Sequence, residues 1–476
     1  MAIAPSGAKK TDQGSDMTAA SQSPGAAEPA PPTARYRAWV LFMLFIVYAF
    51  NFLDRQIISI LAIPIREDLG LDDRQLGLLG GIAFAALYST LGVPIAWLAD
   101  RSNRTWIITA SLTVWSGFTA VCGFAQNFWQ LFAARVGVGV GEAGGVAPSY
   151  SLIADYFPPD ARARALAIYS LGIPIGSAFG VVAGAQIAGG AIGEDLDWRA
   201  AFIIVGLAGV LIAPIFKLTM REPKRGGLDP VSEREKAAAI AKHPPQQGEG
   251  LAGKAIEEAA TKPGVLDVLR ILATKPSFWL LTLGASCSSM MGYGVFFWMP
   301  SFISRTYDLG IIDTGWVFGT VLFFGGSLGI LLGGILGDKL GKAKKTAYAI
   351  VPALAFLAAF PLYVLGTFAP TPLIAVLLFL IPTALGLSWL GPVLSAFQHL
   401  APSNMRSMAS AIFLLVNNLL GIGVGVYVLG ELSTLLAPTF GEESLRYSIA
   451  IGASLYAVAG VLFLLASRTI ERDWEK

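Results

Sequence analysis

Long apolar runs separated by short polar connections recur along the chain from residue 36 onward. A helix of roughly 20 apolar residues crosses a hydrocarbon core about 30 Å thick, so runs of this length predict membrane-spanning helices. The runs lie at residues 36–62, 75–99, 104–125, 127–154, 163–190, 198–219, 275–304, 312–337, 345–367, 371–399, 404–431 and 445–468. We therefore predict an all-α membrane protein with twelve transmembrane helices.

Polar stretches divide these runs into two sets of six. Residues 1–34 are rich in Ala, Pro, Ser and Gly, and predict a disordered cytoplasmic tail because they cannot bury enough apolar surface. The polar stretch 221–273 separates the sixth and seventh runs and predicts a cytoplasmic linker. The expected domains are an N-terminal six-helix bundle at 35–220, a C-terminal six-helix bundle at 274–470 and a cytoplasmic tail at 471–476.

The composition excludes an ordinary soluble enzyme. Of 476 residues, 54% are hydrophobic and 14% charged, and the formal net charge is +2, which gives no sign of a nucleic-acid partner. Cys122 and Cys287 lie in apolar runs and predict buried free thiols. With two histidines in the chain, we expect no metal site and no cofactor.

Basic residues in the short connections predict the orientation. If both termini are cytoplasmic, the inner loops hold more Lys and Arg than the outer loops, as the positive-inside rule requires. The inner loops would carry Arg101, Arg104, Arg162, Arg164, Lys339, Lys342, Lys344, Lys345 and Arg406, and the outer loops Arg66, Arg74, Arg199, Arg305 and Arg446. We expect a multi-pass protein of the bacterial inner membrane.

The two halves repeat one another. "AWLADRSNR" (96–104) follows the second run and "GILGDKLGK" (334–342) follows the eighth, so that Asp100 and Asp338 occupy corresponding positions. "PPDARARA" (158–165) and "APSNMRSMA" (401–409) form a second matching pair. Two signatures that recur at nearly one offset, about 240 residues, indicate an internal repeat.

These signatures resemble the major facilitator superfamily, whose loop between helices 2 and 3 has a pattern close to G-x-L-a-D-r-x-G-r-k. The second copy fits well, whereas the first has Ala96 and Asn103 in place of two glycines. "NFLDRQ" (51–56) and the long stretch from "RVGVGVGEAGG" (135–145) to "SAFG" (177–180) resemble the spinster family within it. The resemblance implies two pseudo-symmetric six-helix bundles, with helices 1, 4, 7 and 10 around a central cavity.

Four charged residues lie inside predicted helices of the first half: Asp54, Arg55, Arg135 and Glu142. Each costs about 2.5–3.5 kcal/mol in a bilayer, so they require a polar cavity or partners. Arg135 and Glu142 are seven positions apart, which places them on one helix face about 10.5 Å apart along the axis, too far to pair directly. We expect cross-helix pairs of Asp54 with Arg135, and of Arg55 with Glu142 or substrate.

Two interpretations of this cluster remain open. The charges could be structural ion pairs that join helix 1 to helix 4, although apolar packing would do this without desolvating four charges. The functional interpretation is a proton-sensing anion site, with Glu142 and then Asp54 as proton-coupling residues, to which the spinster resemblance also points. Arg55 and Arg135 would then bind substrate, together with Tyr48 and Asn51, which share the Arg55 face of helix 1.

The second half offers an apolar face to the same cavity. Met290, Tyr293 and Phe297 follow one stripe of the seventh run, and we predict that they bind the substrate tail. Such a stripe also suits ordinary helix packing, so this alternative stays open. A cavity charged on one side and apolar on the other suits an amphipathic substrate.

Charged residues near the ends of helices 2, 4, 8 and 10 are candidates for gating. The superfamily resemblance implies that Asp100 and Asp338 hold the halves together in one state, with Asp155, Arg162 and Arg406 as partners. The full predicted set is Asp100, Arg101, Arg104, Asp155, Arg162, Asp338 and Arg406. The plainer alternative is that these charges are solvated topology signals, and for Arg104, Lys344 and Lys345 that could be the whole role.

The sequence thus predicts a secondary active transporter that alternates between two open states. The spinster resemblance implies a lysolipid or a sphingoid phosphate as substrate, and proton coupling is the economical drive because no ATP-binding loop is present. Expected partners are this substrate, protons and the bilayer, and the protein is expected to be a monomer. The alternatives are a proton-coupled transporter of drugs or small organic anions, a membrane-embedded lipid-modifying enzyme without a convincing nucleophile, and a passive channel.

Overall fold

The computed structural model describes residues 33–99, 101–223, 225, 265–333, 344–401 and 405–474. Within these ranges every regular element is helical. Most of the predicted N-terminal tail and of the linker, together with residues 475–476, lie outside the described residues.

The first half contains six long helices. A short helix, Ala62–Leu69, follows the first of them, and the second contains a π-helical turn at Leu78–Ile82. The six are α1 (Ala34–Ile60), α2 (Asp73–Ala99), α3 (Arg104–Cys122), α4 (Phe128–Glu142 and Val146–Tyr156), α5 (Pro159–Ser170 and Gly172–Ala188) and α6 (Trp198–Thr219).

The second half repeats this arrangement. The short amphipathic helix Val265–Ala273 precedes it inside the stretch predicted as a linker, and Ile470–Asp473 ends it. Its long helices are α7 (Pro276–Tyr307), α8 (Ile311–Gly333), α9 (Ala347–Thr367), α10 (Pro372–Leu387 and Leu390–Leu400), α11 (Arg406–Asn418, a π-helical turn at Leu419–Val424, and Gly425–Phe440) and α12 (Ser444–Gly452 and Ser454–Ser467).

The irregular positions of the two halves correspond. The π-helical turn in α2 has a counterpart at Val321–Gly326 in α8, and the breaks in α4 and α10 also match. These pairs recur at the spacing of the sequence repeat, about 240 residues, as expected for two copies of one helical unit. The predicted all-α fold of two pseudo-symmetric six-helix bundles is confirmed.

Ten stretches of the described residues are apolar and long enough to cross a membrane. One of them, Met408–Ser467, contains both α11 and α12. α4 is not among them because it breaks at 143–145, so the run predicted at 127–154 forms two helical segments, Phe128–Glu142 and Val146–Tyr156. Gly144 and Gly145 in this break are poor helix formers, which explains the turn. When α11 and α12 are counted separately and α4 is added, these stretches are consistent with twelve spans.

Polar side chains determine where several helices begin. Asn103 accepts a hydrogen bond from the Trp106 backbone N–H at the start of α3, and Asn127 does the same for Gln130 at α4. At α2, Asp72 and Gln75 form a capping box. Because each cap satisfies an otherwise unpaired N–H, these residues end the connections and fix the first turns.

Glycines bring α5 against α1. A Cβ atom added at Gly176 would collide with the Ala49 backbone carbonyl, and one at Gly180 with the Leu53 carbonyl. The four-residue glycine spacing on α5 therefore allows backbone contact, as small residues do between membrane helices.

Replacing Gly176 by alanine is expected to destabilise the protein by about 1–3 kcal/mol, because the added methyl meets backbone that cannot move aside cheaply. The apparent melting temperature of the purified protein in detergent measures this. Gly117→Ala on α3 is the matched control, since a Cβ there meets no atom within 4 Å. Equal melting temperatures for the two variants would contradict the contact.

The two halves are joined at the end of the molecule opposite the chain termini. The first residue of α2, Asp73, binds Arg305 near the end of α7 through two hydrogen bonds of 2.7 and 2.8 Å. Ser433 on α11 also donates to Asp73, at 2.8 Å. Arg74–Glu431 and Arg66–Glu442 add two further ion pairs between the halves.

Candidate functional site

Four charged side chains meet between α1 and α4 and form the charge cluster: Asp54, Arg55, Arg135 and Glu142. Asp54, Arg135 and Glu142 have at most 2% of their surface exposed, and the Arg55 side chain has 10%. They are therefore shielded from lipid, as the cost of charge in a bilayer requires.

The cluster contains both cross-helix pairs that the sequence predicts. Arg55 Nε donates to Glu142 Oε2 at 2.7 Å, which is a charge-assisted hydrogen bond. Arg135 Nη1 lies 3.9 Å from Asp54 Oδ2, within ion-pair range but too far for a hydrogen bond. The Arg55–Glu142 pair is thus hydrogen-bonded, whereas the Arg135–Asp54 pair is held by charge alone.

Several polar atoms of the cluster have no hydrogen-bond partner among the described residues. They include Asp54 Oδ2, Glu142 Oε1, Arg55 Nη2, and Nε and Nη1 of Arg135. Buried polar atoms in proteins are normally satisfied, so an unpaired set calls for an explanation. A water could bond to either kind of atom, whereas an anion could accept only from the arginine N–H groups and a proton could bind only a carboxylate oxygen.

Aromatic rings surround the Arg55 guanidinium. Its central carbon lies 5.0, 4.7 and 4.5 Å from the ring centroids of Phe52, Phe84 and Tyr88. At these distances the negative ring faces attract the cation. Arg55 therefore keeps favourable contacts besides its carboxylate partner.

A small cavity of about 30 Å³ lies between the halves beside this cluster. Arg55 and Arg135 line one side, and the other side is formed by side chains of α7 and α11: Tyr293, Phe296, Phe297, Ile422 and Val426. Gln56 also lines it, and its Nε2 donates to the Phe296 carbonyl of the other half at 3.3 Å. The cavity is therefore charged on one side and mainly apolar on the other.

The sequence profile of the Major Facilitator Superfamily matches residues 44–426. The chain belongs to the major facilitator superfamily.

Relatives within the superfamily cover nearly the whole chain. A protein named MFS-type efflux pump from Mycolicibacterium smegmatis is 30% identical over 92% of this chain and 94% of its own length. Human protein spinster homolog 1 is 27% identical over 92% of this chain and 81% of its own length. A bacterial homologue of the human lysosomal transporter spinster, solved inward-facing and unoccupied, superposes with a TM-score of 0.78 at 29% identity, covering 94% of this chain and all of that one. This chain is thus a superfamily transporter of the spinster type.

In this major facilitator protein, some predicted substrate-binding residues lie away from the cavity. Tyr293 and Phe297 line it, but Met290 is not among the lining side chains, and its backbone packs against Gly425 of α11. Tyr48 stacks on Tyr169 with ring centroids 4.2 Å apart. Asn51 is buried, and neither of its amide atoms has a hydrogen-bond partner among the described residues.

The predicted gating residues that the structure describes form contacts within the first half. Arg104 is 1% exposed, donates to Asp155 and to Ser151 Oγ, and also binds Glu222 at 2.6 Å. The suggestion that Arg104 is only a solvated topology signal was therefore wrong, because the segment after α6 folds back and covers it.

Other members of the gating set make local contacts. Arg101 stacks on Trp97, with its central guanidinium carbon 4.0 Å from the ring centroid. Arg162 Nε donates to the Phe157 carbonyl. Asp100 and Asp338 lie outside the described residues, as does the side chain of Arg406. Their gating role stays a prediction.

Sequence reasoning missed three residues that contact the charge cluster. Thr119 on α3 donates to Asp54 Oδ1 at 2.6 Å, while Phe84 and Tyr88 on α2 contact the arginines. The i, i+4 spacing of Phe84 and Tyr88 was a usable signal, because it places two aromatic rings on one helix face. Thr119 offered no comparable signal in an apolar helix with several hydroxyl residues.

Proposed function

We propose that this transporter moves a single-chain anionic lipid, such as a lysolipid or a sphingoid phosphate, by proton-coupled alternating access. The observation that supports this most is the Arg55–Glu142 pair beside a cavity whose facing wall is apolar. A headgroup anion suits the arginines, and an acyl chain suits the rings and aliphatic side chains of α7 and α11. Human protein spinster homolog 1, a relative over most of the chain, supports the spinster resemblance from which this substrate class is expected.

Proton coupling would arise because Arg55 exchanges Glu142 for the anionic headgroup when Glu142 binds a proton. With both carboxyls ionised, the two arginines and two carboxylates of the charge cluster have no net charge. When a proton binds Glu142, the Arg55–Glu142 attraction is lost and the cluster gains one positive charge. Arg55 then becomes available to an anionic headgroup, so the proton and the anion are favoured together.

The two halves would rock about this site. We take the N-terminal bundle, 35–220, and the C-terminal bundle, 274–470, as the moving units, and the gating residues as contacts that form and break at the termini end. Positive loop charge favours cytoplasmic termini and therefore a bacterial inner-membrane protein. A monomer suffices, because both sides of the cavity come from one chain.

A second candidate is the export of drugs or small organic anions. It is favoured by the efflux pump from Mycolicibacterium smegmatis, which is 30% identical over 92% of the chain. Both functions would use the same charges, but a small anion would not need the apolar wall. Uptake of lysophosphatidylglycerol and of a short organic anion, compared in the same proteoliposomes, separates the two.

Proteoliposome uptake under an imposed pH gradient tests the coupling. Glu142→Gln is expected to abolish gradient-driven accumulation of the lipid while counterflow exchange continues, because the proton-binding carboxyl is gone. Arg55→Ala is expected to reduce binding of the anionic lipid at least about tenfold, since a charge-assisted contact contributes about 1.5–3 kcal/mol. Accumulation at the wild-type level in Glu142→Gln would refute the coupling role.

The matched control is Glu443→Gln. Glu443 pairs with Arg446, three residues away, at the molecular surface, and it is not among the residues that line the cavity. This variant should accumulate substrate as the wild type does. A loss of accumulation there as well would show that any lost carboxylate impairs the protein.

A further inference from the structure

The Phe84 ring contacts both arginines of the charge cluster. Its ring centroid is 4.7 Å from the central guanidinium carbon of Arg55 and 5.5 Å from that of Arg135. The side chain is 1% exposed and belongs to α2, which contributes no charge to the cluster. One uncharged ring therefore contacts both cations.

A glycine of α4 makes room for this placement. A Cβ at Gly139 would collide with the Phe84 carbonyl oxygen. Gly139 follows Arg135 by four residues and precedes Glu142 by three, so α2 approaches α4 between the two charges. The glycine repeat "RVGVGVG" thus allows a neighbouring backbone to bring an aromatic ring into the cluster.

The ring attracts a guanidinium group more strongly when that group has no carboxylate partner than when it is paired. An aromatic face attracts a cation within about 6 Å, and the attraction is larger when water is excluded. A guanidinium paired with a carboxylate presents a dipole to the ring, whereas an unpaired one presents a full charge. The ring therefore stabilises Arg55 most when Glu142 carries no charge.

We propose that Phe84 is a positioning residue that holds both guanidinium groups and keeps Arg55 in place while its carboxylate partner is neutral or displaced. This rests on the proposed function insofar as Glu142 is the group that changes charge. The ring contacts both guanidinium groups, so Arg55 keeps an attractive neighbour when Glu142 no longer attracts it. The unpaired Nη2 of Arg55 stays available to a ligand anion.

Three other ionisable side chains near the cluster each interact with one of its two arginines. Tyr88 and Tyr293 interact with Arg55, and Cys122 interacts with Arg135 and with Asp54. Among the described residues, Phe84 is the ring with a cation contact to both arginines. The proposal therefore concerns Phe84 rather than the aromatic surroundings in general.

A substrate-free double-mutant cycle tests the proposal. Phe84 is replaced by mono-, di- and trifluorophenylalanine, which keep the ring shape and progressively remove its attraction for cations. Melting temperatures are measured in detergent for this series in the wild-type and Glu142→Gln backgrounds. Fluorination should lower the melting temperature more steeply in Glu142→Gln, where Arg55 depends on the rings. Parallel slopes in the two backgrounds would overturn the proposal.

A second background and a second position keep the test decisive. If Glu142→Gln does not fold, Arg55→Gln replaces it, and the slope should then be shallower than in the wild type because one of two cations is absent. The control ring is Phe202 on α6, which is fully buried against Trp198. Fluorination there should give the same slope in every background, and a background-dependent slope would overturn the assignment to Phe84.

The transport assay separates this proposal from the proposed function. With lysophosphatidylglycerol as the probe, trifluorophenylalanine at this position should raise KM about three- to tenfold with little change in maximal rate. An unchanged KM in a protein that transports the lipid would overturn the positioning role and leave the proposed function standing. If the wild type does not transport the lipid, the proposed function fails and the substrate-free cycle alone decides the role of Phe84.

Discussion

Replacing Asp73 by asparagine is expected to shift the transporter toward the state that is open at the end opposite the termini. In the structure that end is closed, and Asp73 is one of the residues that close it. It is 7% exposed and accepts three hydrogen bonds from side chains of the other half, two from Arg305 and one from Ser433. These contacts must break when the halves separate there.

The expected effect is large because both side chains of the pair are largely shielded from solvent, with 8% of Asp73 and 9% of Arg305 exposed. Removing one partner of a buried ion pair costs about 3–5 kcal/mol, since the other charge stays without compensation. In an open state the remaining Arg305 would be hydrated, so most of this cost falls on the closed state. A difference of that size shifts the ratio of closed to open molecules by roughly a hundredfold or more.

Distances between spin labels at Glu194 and Thr439 measure this shift. The two positions are exposed and belong to opposite halves at the same end. Asp73→Asn should add a longer distance population that is minor in the wild type. Arg66→Gln is the control, because Arg66 and Glu442 are more exposed and 3.8 Å apart, and such a pair contributes little. The exchange Asp73→Arg with Arg305→Asp should restore part of the short population, whereas identical distributions in Asp73→Asn and wild type would exclude a closing role.

Hydrophobic spacing was sufficient to predict the helices, because in a membrane each span must satisfy its own backbone hydrogen bonds. The arrangement of two bundles around a central cavity was implied by the superfamily resemblance. Run length and the repeated loop signatures therefore identified the helices and their pairing into halves. The break in α4 escaped this reasoning because the length of an apolar run does not show where the backbone turns, and Gly144 and Gly145 were counted as part of one run. The helix Val265–Ala273 was missed because nine residues are too short for a search for spans.

The cross-helix pairs of the site could be predicted because a charged side chain inside a bilayer needs an oppositely charged partner or a polar cavity. The seven-residue spacing placed Arg135 and Glu142 on one face of α4. Asp54 and Arg55 of α1 were the complementary charges predicted inside the membrane. Thr119, Phe84 and Tyr88 could not be predicted in the same way. Their contacts depend on which helices approach closely, and that depends on glycines such as Gly139, whose effect appears only in the packed structure.

Arg104 shows the same limit at a helix end. Its position at the start of α3 suggested a solvated charge, yet Glu222 is more than a hundred residues away in the sequence and covers it after α6. Such a contact leaves no local pattern. Its consequence for stability can be tested directly.

Arg104→Met is expected to cause the largest loss of stability among the variants considered, because it removes the shared partner of two carboxylates. Arg104 Nε binds Glu222, Nη1 binds Asp155 and Ser151, and Nη2 donates to the Pro223 carbonyl. The side chain thereby ties α3, α4 and the segment after α6 together. Loss of this buried cation should cost about 3–5 kcal/mol, seen as a lower apparent melting temperature and earlier proteolysis after α6.

Three companion variants separate charge loss from lost packing. Arg101→Met removes a neighbouring arginine that is exposed and stacked on Trp97, so it should leave the melting temperature nearly unchanged. Arg104→Lys keeps the charge but cannot form the same set of N–H contacts, so an intermediate loss is expected. Adding Glu222→Gln to Arg104→Met should recover part of the loss, because one of the uncompensated carboxylates is then neutral. If Arg104→Met melts as the wild type does, the buried network contributes nothing to stability, and the guanidinium would instead have to act in a conformation in which α3, α4 and the segment after α6 separate.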